Sequence, residues 1–425
     1  METLNVFFKQ IRVGSLAIND RRLFSFQYSK EWLISPIAFQ LSISLPLQEG
    51  IFTDDKVKFF FSNLLPESAV RELIAKRLGI SDKNDFMFLK RIGGECAGAI
   101  TIQPESERPE SPNQYTYRSL SDKQLEDLIK HIPRRPLLAG QEGIRISLAG
   151  AQEKLALFYK DPVFYIPLNG APSNYILKPG MAHFQSSIQN EYFCMMLAGD
   201  LGLNVPPVSI FQKGTQEVLL IKRYDRTLDK DVLNRLHQED FCQALGLSHE
   251  LKYQADGGPG LQACFDTVRA YSANPIKDLQ QLMQWVFFNY LIGNMDAHAK
   301  NLSFIYQGRQ IRLAPFYDLM CTNIYEDLSQ KLAMKIGGEN RLEWIMDRHW
   351  KRFGEEIEIS HPVLQKRLSE FCNKLVNIID VTYTNFIDRH NQNNLVENII
   401  IDIKKRANRT LKQFDISLKD IERQE

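Results

Sequence analysis

The sequence predicts an α+β protein with two lobes and an additional subdomain at its N-terminal end. Short apolar runs typical of strands fill much of residues 1–105 and recur between residues 154 and 221. From about Asp240 the apolar residues recur at helical spacing instead. A small hairpin between Leu302 and Leu313 interrupts this helical region. The predicted order is therefore a subdomain, a β-rich lobe and a helical lobe.

The composition indicates a globular protein with more than one domain. The chain has 425 residues, of which 44% are hydrophobic and 24% are charged, and this length suits two or three domains. The net charge is only +1, whereas a protein that binds DNA alone usually carries a basic excess. Lys404, Lys405, Arg406 and Arg409 form a basic run, which is either a local basic patch or a solvated helix face.

The sequence contains no sign of a zinc site, a disulfide framework or a membrane segment. The six cysteines form no CxxC pair and most lie near apolar residues, which predicts buried, reduced thiols. The eight histidines lack the spacing of zinc ligands. Met1–Val13 lacks the apolar region of a secretion signal, and no apolar run approaches the ~18 residues of a membrane span. We therefore expect a cytoplasmic protein.

The N-terminal subdomain is expected to combine strands with helices. Strands are predicted at Asn5–Phe8, Ile11–Leu16 and Leu23–Tyr28, and helices at Val57–Leu65 and Glu67–Leu78. Residues 104–120 are rich in Pro, Glu and Ser, as linkers often are. We expect three domains: the subdomain at 1–108, the β-rich lobe at 109–225 and the helical lobe at 226–425.

The elements of the two lobes follow from the same patterns. The β-rich lobe is predicted to contain a hairpin of Lys154–Tyr159 and Val163–Ile166, strands at Asn174–Lys178 and Val218–Ile221, and a helix at Gln189–Leu201. In the helical lobe, the apolar residues of Leu279–Ile292 share one helical face and predict a core helix. The small hairpin pairs Leu302–Tyr306 with Gln310–Leu313, and helices are expected from there to the end.

The segment after the core helix has the spacing of a kinase catalytic loop. Asp296 and Asn301 are five residues apart, like the Asp and Asn of the loop H-R-D-x-x-x-x-N. Such a loop holds a carboxylate at the attacking hydroxyl and returns an amide oxygen to a metal ion. Asp296 is thus the candidate catalytic base and Asn301 a candidate magnesium ligand. The alternative is an Asx-rich turn that caps helices.

Three further residues fit phosphoryl transfer. Asp318 follows the small hairpin, as the second metal-binding Asp does in kinases, although it could simply cap a helix. Lys178 follows three apolar strand residues and could reach the phosphates of ATP, with Glu191 on the next helix as its ion-pair partner. The alternatives are an exposed lysine at a strand end and a glutamate on a solvated helix face.

The phosphate-binding loop gives a weaker signal. The chain has neither a Walker A motif nor G-x-G-x-x-G. Instead, Ser147–Lys154, expected to belong to the first strand of the β-rich lobe, contains small residues that allow the backbone to approach phosphate. A tight turn would explain the same composition.

The segment Arg145–Lys154 closely resembles the phosphate-binding segment of the HipA family. Members of this family are serine/threonine protein kinase toxins of type II toxin–antitoxin systems. Other stretches resemble motifs of this family in the same order: Asn63–Glu67, Ile92–Ala99, Gln238–Gln243, Lys252–Tyr253 with Asp256–Gly260, Asp296–Asn301 and Ile336–Gly338. The resemblance implies a bilobal, protein-kinase-like fold of HipA type with an added N-terminal subdomain and a helical C-terminal lobe.

The resemblance also implies roles for individual residues. Ala149, Gly150, Ala151 and Gln152 would cover the phosphates of ATP, and Lys178 would bind them. Asp296 would be the base, and Asn301 and Asp318 would hold Mg²⁺. Lys222 and Tyr224 match the hinge that contacts adenine through backbone groups. His298 and Lys300 would touch the γ-phosphate, unless they serve only to pack the loop.

Regulation and partners are implied in the same way. Ser147 matches the serine whose autophosphorylation switches the family off, since a phosphate adds nearly two negative charges beside a loop that holds ATP phosphates. Characterised members phosphorylate an aminoacyl-tRNA synthetase. A helix-turn-helix antitoxin of HipB type restrains the kinase and would supply most of the contact with DNA.

Two other functions compete with a protein kinase. A small-molecule kinase would share the catalytic layout, but the Ser147 segment and the N-terminal subdomain argue against it. A degenerate kinase could act as a co-repressor in a complex with DNA. All four elements that phosphoryl transfer needs are present in the sequence: a phosphate loop, a lysine for the phosphates, a catalytic carboxylate and oxygen ligands for magnesium. Their presence weighs against that alternative.

Overall fold

A computed structural model of the chain describes residues 1–229 and 232–422. The strands, in chain order, are β1 (Glu2–Phe8), β2 (Ile11–Ile18), β3 (Phe24–Tyr28), β4 (Ile100–Pro104), β5 (Tyr117–Ser119), β6 (Leu155–Lys160), β7 (Val163–Pro167), β8 (Tyr175–Pro179), β9 (Val208–Lys213), β10 (Gln216–Lys222), β11 (Arg226–Asp229), β12 (Val232–Arg235), β13 (His237–Asp240), β14 (Ser303–Gln307), β15 (Gln310–Leu313), β16 (Lys331–Ile336) and β17 (Glu339–Arg341). The helices are α1 (Lys30–Leu33), α2 (Asp55–Ser62), α3 (Ser68–Leu78), α4 (Asp85–Ile92), α5 (Asp122–His131), α6 (Ser187–Asp200), α7 (Phe241–Ala244), α8 (Leu261–Tyr271), α9 (Pro275–Ile292), α10 (Asp347–Glu356), α11 (His361–Ile387) and α12 (Asn394–Glu422). This mixture confirms the predicted α+β class.

The chain divides into two compact units. Unit 1 comprises Met1–Met181, Pro206–His249 and Ser303–Ala314. Unit 2 comprises Ala182–Val205, Glu250–Leu302 and Pro315–Glu425. Unit 1 contains the sheets formed by β1 to β15, whereas unit 2 contains α6, helices α8 to α12 and the hairpin β16–β17. The predicted hairpin β14–β15 pairs with β13 and so belongs to unit 1, although it interrupts the helical part of the sequence.

Unit 1 begins with an antiparallel sheet in the order β3-β2-β1-β4. The three predicted strands are confirmed as β1, β2 and β3, and most of their apolar side chains are buried. Leu4, Val6 and Leu16 have no exposed surface, and their burial provides the hydrophobic free energy that holds the sheet to its helices. The predicted helices are also confirmed, as α2 and α3.

The second sheet of unit 1 has the order β5-β7-β6-β8-β10-β9. The predicted hairpin is confirmed as β6–β7, which turns at Asp161-Pro162. The segment Ser147–Lys154 is not part of a strand, contrary to expectation, and β6 starts only at Leu155. Instead, Gly150 forms a single bridge to Pro66, and Ile146, just before the segment, forms one to Glu95. These backbone partners are distant in sequence, so local pattern could not reveal them.

A buried charge cluster ties the N-terminal residues into unit 1. The Glu95 carboxylate accepts hydrogen bonds from Arg223 and Arg226, each at 2.9 Å. Asp225 pairs with the same two arginines and accepts the Gly98 N–H at 2.8 Å. All four charged side chains are almost completely buried. Burial alone would raise the pKa of Glu95, but the guanidinium groups of Arg223 and Arg226 outweigh it and lower that pKa.

Unit 2 is built around α9, which matches the predicted core helix. Asn274 caps its start by accepting the N–H of Lys277, and Pro275 occupies the first turn. The basic run on α12 does not form a uniform solvated face, since Arg406 is buried and donates to the Leu291 carbonyl. Lys404, on the same run, pairs with Asp380 on α11. Side chains from this run therefore anchor α12 to the rest of unit 2.

The expectation of helices from the small hairpin to the end is wrong at β16–β17. Gly337 and Gly338 turn this second hairpin with φ of 53° and 89°, values that favour glycine. A Cβ on Gly337 would lie 1.9 Å from the His349 carbonyl oxygen, so α10 packs directly on the turn. The two glycines of the Ile336–Gly338 motif indicate a turn. The strands on either side are short, so their apolar pattern does not predict a hairpin.

All six cysteines are buried, as expected, and none is paired in a disulfide. Among the described residues, no helix is long and apolar enough to cross a membrane.

The charge cluster gives a prediction for stability. Glu95→Gln should lower the free energy of unfolding by about 3–5 kcal/mol at pH 7, because it leaves the buried Arg223 and Arg226 with Asp225 as their one carboxylate partner in the cluster and so leaves one buried positive charge uncompensated. Since the pKa of Glu95 is lowered in the folded state, its contribution is complete above its unfolded pKa of about 4.3 and is lost as the pH falls further. Urea unfolding from pH 7 to pH 3 measures both effects.

The matched control is Glu107→Gln, which removes a half-exposed partner of Arg145. This change should cost no more than about 1 kcal/mol. Equal effects of the two substitutions would contradict the importance given to the buried cluster.

Candidate active site

The candidate catalytic loop begins where α9 ends. Gly293 caps the helix in the left-handed conformation (φ 73°), and its N–H donates to the Tyr290 carbonyl. A Cβ at this position would lie 3.0 Å from Cβ of Asn323 and 3.3 Å from the Arg406 guanidinium. Both conformation and space therefore favour glycine, and the chain leaves α9 in a fixed direction.

Asn294 links the catalytic loop to the segment that carries Asp318. Its amide nitrogen donates to Oδ1 of Asn289 at 2.8 Å and to the Asp318 carbonyl at 3.3 Å. Its amide oxygen accepts the N–H of Asp296 at 3.1 Å. Asn294 is almost fully buried, so water cannot easily replace these bonds. The backbones of Asp296 and Asp318 are thus held by one side chain.

The Asp296 carboxylate is held at one oxygen and remains accessible. The hydroxyl of Tyr253 donates to Oδ1 at 2.6 Å, and Nε2 of His298 lies 3.9 Å from the same oxygen. The backbone carbonyl of Asp296 accepts the side-chain amide of Asn301 at 2.9 Å. The Asp296 side chain is 55% exposed. A solvent-borne hydroxyl group could therefore reach it.

The orientation of the Asn301 amide follows from this network. Its nitrogen donates to the Asp296 carbonyl, so the amide oxygen is the atom left to accept a hydrogen bond or bind a cation. Asn301 closes a single helical turn, Ala299–Asn301, and is buried. Asp296 and Asn301 therefore lie in direct contact, as their spacing predicts.

Asp318 has an uncommon backbone conformation. Its φ is 55°, which is in the left-handed region and is tolerated better by Asp than by most residues. Such conformations cost about 1–3 kcal/mol and are concentrated at functional sites. The preceding Tyr317 donates its hydroxyl to the carbonyl of Lys300 at 2.7 Å. Asp318 is therefore connected to the catalytic loop on both sides, through Asn294 and through Tyr317.

In unit 1, the candidate phosphate loop is fastened to N-terminal residues. The Ser147 N–H donates to the Glu95 carbonyl at 2.8 Å, and its hydroxyl donates to the Leu64 carbonyl at 2.7 Å. Three residues further on, the Gly150 carbonyl accepts the N–H of Glu67 at 3.1 Å. Ser147 has no exposed surface. Backbone of the N-terminal subdomain thus holds the loop at its start, Ser147, and at Gly150.

Gly150, at the tip of this loop, has a positive φ that favours glycine. Gly150 has φ of 110°, and a Cβ there would lie 2.7 Å from Nζ of Lys154. Lys154 in turn donates to the Ala149 carbonyl, and Gln152 donates to the Pro179 carbonyl at 3.4 Å. Ala151 is exposed, as a residue that covers a ligand from the solvent side would be.

Comparison with known families decides the identity of the fold. Residues 4–103 match the HipA N-terminal domain, and residues 146–379 match the HipA-like C-terminal domain. The chain belongs to the HipA family.

Individual HipA relatives cover most of the chain. A Sinorhizobium fredii protein named "Putative kinase Y4mE" is 37% identical over 408 residues, which are 94% of this chain and 97% of the relative. The serine/threonine-protein kinase toxin HipA of Shewanella oneidensis is 33% identical over 352 residues, 79% of each protein. The solved complex of Shewanella oneidensis HipA, HipB and operator DNA matches with a TM-score of 0.84 at 28% identity, covering 97% of this chain and 98% of that one. The HipA-type fold is confirmed, and kinase function in general follows from this homology.

The remaining candidate residues occupy defined positions in the HipA fold. Lys178 lies on β8, between β6 and β10, and is buried. Lys222 ends β10 with an exposed side chain, and the Tyr224 hydroxyl donates to Gln238. Burial raises the pKa of Tyr224 and keeps it neutral. Glu191 is buried on α6 in unit 2 and is not on a solvated helix face.

The candidate metal ligands of this HipA site are an amide oxygen and a carboxylate. No group of three His, Cys, Asp or Glu side chains that could hold a metal occurs in the described part of the chain. Mg²⁺ takes one or two protein oxygens together with phosphate and water. The Asn301 amide oxygen and the Asp318 carboxylate are donors of this kind.

Two residues of the HipA site, Asn294 and Tyr253, have contacts that no sequence pattern predicts. Asn294 directly follows the cap of α9, but only the structure reveals its bond to Asp318. Tyr253 lies in a stretch that resembles a family motif, yet its contact with Asp296 spans 43 residues of sequence. No spacing rule connects residues that far apart.

Asn294 provides a test of the site's construction. Asn294→Ala should lower the free energy of unfolding by about 1–3 kcal/mol, because it leaves buried polar groups of Asn289 and Asp296 without partners. The half-buried Asn340 offers a control, and Asn340→Ala should change stability by no more than about 0.5 kcal/mol. Denaturant unfolding of both variants makes the comparison. Equal stabilities would show that Asn294 does not hold the loop.

Proposed function

We propose that the chain is a Mg-ATP-dependent serine/threonine protein kinase of the HipA toxin type. The observation that carries this proposal is the contact of Asp296 with Asn301, joined through Asn294 to Asp318. These are the base, the amide ligand and the acidic ligand that phosphoryl transfer requires. The kinase names of the relatives agree with it.

Asp296 is suited to act as the base. Its Oδ1 is occupied by Tyr253, and Oδ2 has no hydrogen-bond donor among the described residues. In the proposed step, the substrate hydroxyl oxygen bonds to the γ-phosphorus while the bond from phosphorus to the leaving oxygen of ADP breaks. The hydroxyl proton passes to Oδ2 of Asp296. His298 and Lys300, which flank the base, would contact the γ-phosphate.

The nucleotide would be held by the other candidate residues. Asn301 and Asp318 would hold Mg²⁺, which when bound would neutralise charge on the phosphates. Residues 149–152 would cover the phosphates, and Lys178 would bind them with Glu191 as its partner. Lys222 and Tyr224 would meet adenine through their backbone groups.

The target and the partners are carried over from the family. We expect the protein substrate to belong to translation, as an aminoacyl-tRNA synthetase does. The Shewanella oneidensis HipA was solved with HipB and operator DNA, which supports a HipB-type antitoxin as partner of this chain. The net charge of +1 agrees with DNA contact made mainly by that antitoxin.

Loss of the base tests the proposed function. Asp296→Asn should reduce transfer of labelled phosphate from Mg-ATP to protein by about 10²–10⁴-fold, because the amide cannot take the proton. Asp327→Asn, an exposed aspartate in the same unit, should leave transfer unchanged. The assay uses purified full-length chain with radiolabelled ATP, alone and with a cell extract. Full activity of Asp296→Asn would exclude the assigned mechanism.

Ser147 is positioned so that its phosphorylation would release the phosphate loop. Its hydroxyl donates to the Leu64 carbonyl in a place closed to water. A phosphate there would replace the donor with nearly two negative charges facing a carbonyl oxygen. The loop could not stay in place, so we propose that autophosphorylation switches the enzyme off by lowering its affinity for ATP.

A charge at position 147 tests this switch. Ser147→Asp should weaken binding of a non-hydrolysable Mg-ATP analogue by at least about tenfold, since a buried carboxylate at this position would expel the loop. Ser147→Ala loses one hydrogen bond, which contributes only about 1 kcal/mol to stability, and should bind nearly as wild type. Isothermal titration calorimetry compares the two. Equal affinities would rule out the loop as the switch.

A further inference from the structure

The loop that precedes α8 is locked into one conformation beside the candidate base. The Gly258 N–H donates to the Tyr253 carbonyl at 2.9 Å, and a Cβ on Gly258 would lie 2.0 Å from the Leu251 carbonyl oxygen. Gly257 has φ of 94°. The turn therefore depends on its two glycines, and it fixes the backbone of Tyr253.

Contacts on both sides of Tyr253 attach this loop to the rest of unit 2. The Lys252 carbonyl accepts the N–H of Ala299 in the catalytic loop at 3.3 Å. On the other side, Oε1 of Gln254 accepts the N–H of Lys335 on β16 at 2.7 Å. None of these bonds uses the Tyr253 hydroxyl, so the loop should keep its place without it.

The ring of Tyr253 is oriented by its neighbours. The His298 ring meets it edge to face, with centroids 5.1 Å apart. Nζ of Lys252 lies 5.5 Å from its centroid. Aromatic and cation–π contacts of this kind each contribute modestly, but together they limit the rotation of the ring. The hydroxyl is therefore directed at Oδ1 of Asp296, 2.6 Å away.

The half-exposed Asp296 carboxylate would otherwise be free to rotate. Its backbone is fixed on both sides, by Asn294 at the N–H and by Asn301 at the carbonyl. The side-chain torsions are the degrees of freedom that these two bonds leave open. A donor at Oδ1 restricts them and directs Oδ2 towards an incoming hydroxyl group.

We propose that Tyr253 is a positioning residue for phosphoryl transfer, whose hydroxyl holds the base Asp296 in its reactive orientation. The inference rests on the proposed function, since it assigns Tyr253 a role only if Asp296 is the base. Correct orientation matters because small displacements of a reacting group reduce rates by large factors. Tyr253 would act on turnover and not on ATP binding, because its hydroxyl contacts the base.

The test removes only the hydroxyl. Tyr253→Phe should lower the initial rate constant for phosphate incorporation into the chain at saturating Mg-ATP (kcat), with Mg-ATP as the sole added substrate, by about 10- to 100-fold, the range expected for a lost hydrogen bond to a charged group. KM for ATP and the thermal unfolding midpoint should remain those of wild type. Tyr271→Phe makes the same change at a tyrosine that is 47% exposed at the end of α8, and it should have no effect. Asp296→Asn, assayed in parallel, shows whether the base itself is required.

The outcomes separate this inference from the proposed function. Loss of activity in Asp296→Asn together with wild-type or increased kcat in Tyr253→Phe would overturn the positioning role and leave the kinase assignment intact. A parallel fall in kcat, ATP affinity and unfolding midpoint in Tyr253→Phe would also overturn it, because that pattern indicates a structural role. Wild-type activity in Asp296→Asn, or no transfer by wild type, would overturn both.

Discussion

The hydrogen bonds of one buried side chain, Asn294, determine the geometry of the candidate site. It joins the end of α9, the N–H of Asp296 and the carbonyl of Asp318. A carboxamide can do this because it has donors and an acceptor on one rigid plane. Asp296 and Asp318, the proposed base and acidic metal ligand, are 22 residues apart in sequence, and this link fixes their backbones relative to each other. Phosphoryl transfer depends mainly on such positioning, since the protein supplies little covalent chemistry.

In unit 1, Glu95 likewise makes two separate structural contacts. Its carboxylate belongs to the buried cluster with Arg223, Asp225 and Arg226, while its backbone carbonyl accepts the N–H of Ser147. Buried ion pairs are weak contributors to net stability, but they strongly disfavour arrangements that leave a charge unpaired. The cluster thus specifies where the N-terminal residues dock, and Glu95 also holds the candidate phosphate loop through its backbone carbonyl. This arrangement gives the N-terminal subdomain a direct part in nucleotide binding under the proposed function.

Much of the fold could be predicted because its signals are local. The apolar face of α9, the turn at Asp161-Pro162 and the short apolar run of β1 each depend on neighbouring residues. The contact of Asp296 with Asn301 was predictable for the same reason, since a short loop closes between them.

The remaining features depend on partners distant in sequence. Ser147–Lys154 was expected in a strand, but its backbone partners are Glu95 and Glu67, more than fifty residues earlier. Arg406 looked like a surface charge, because nothing near it in sequence reveals the Leu291 carbonyl that it meets. The residues around Tyr253 in the sequence do not indicate its contact with Asp296, because that contact forms only in the folded protein.

Binding of Mn²⁺ in place of Mg²⁺, followed by electron paramagnetic resonance with a non-hydrolysable ATP analogue, tests the central claim most directly. Manganese accepts the same oxygen donors as magnesium, so it distinguishes a metal ligand from a base. We predict that Asp318→Ala loses nucleotide-dependent Mn²⁺ binding, whereas Asp296→Asn retains it. Wild-type Mn²⁺ binding by Asp318→Ala would contradict the assignment of these residues to a kinase active site.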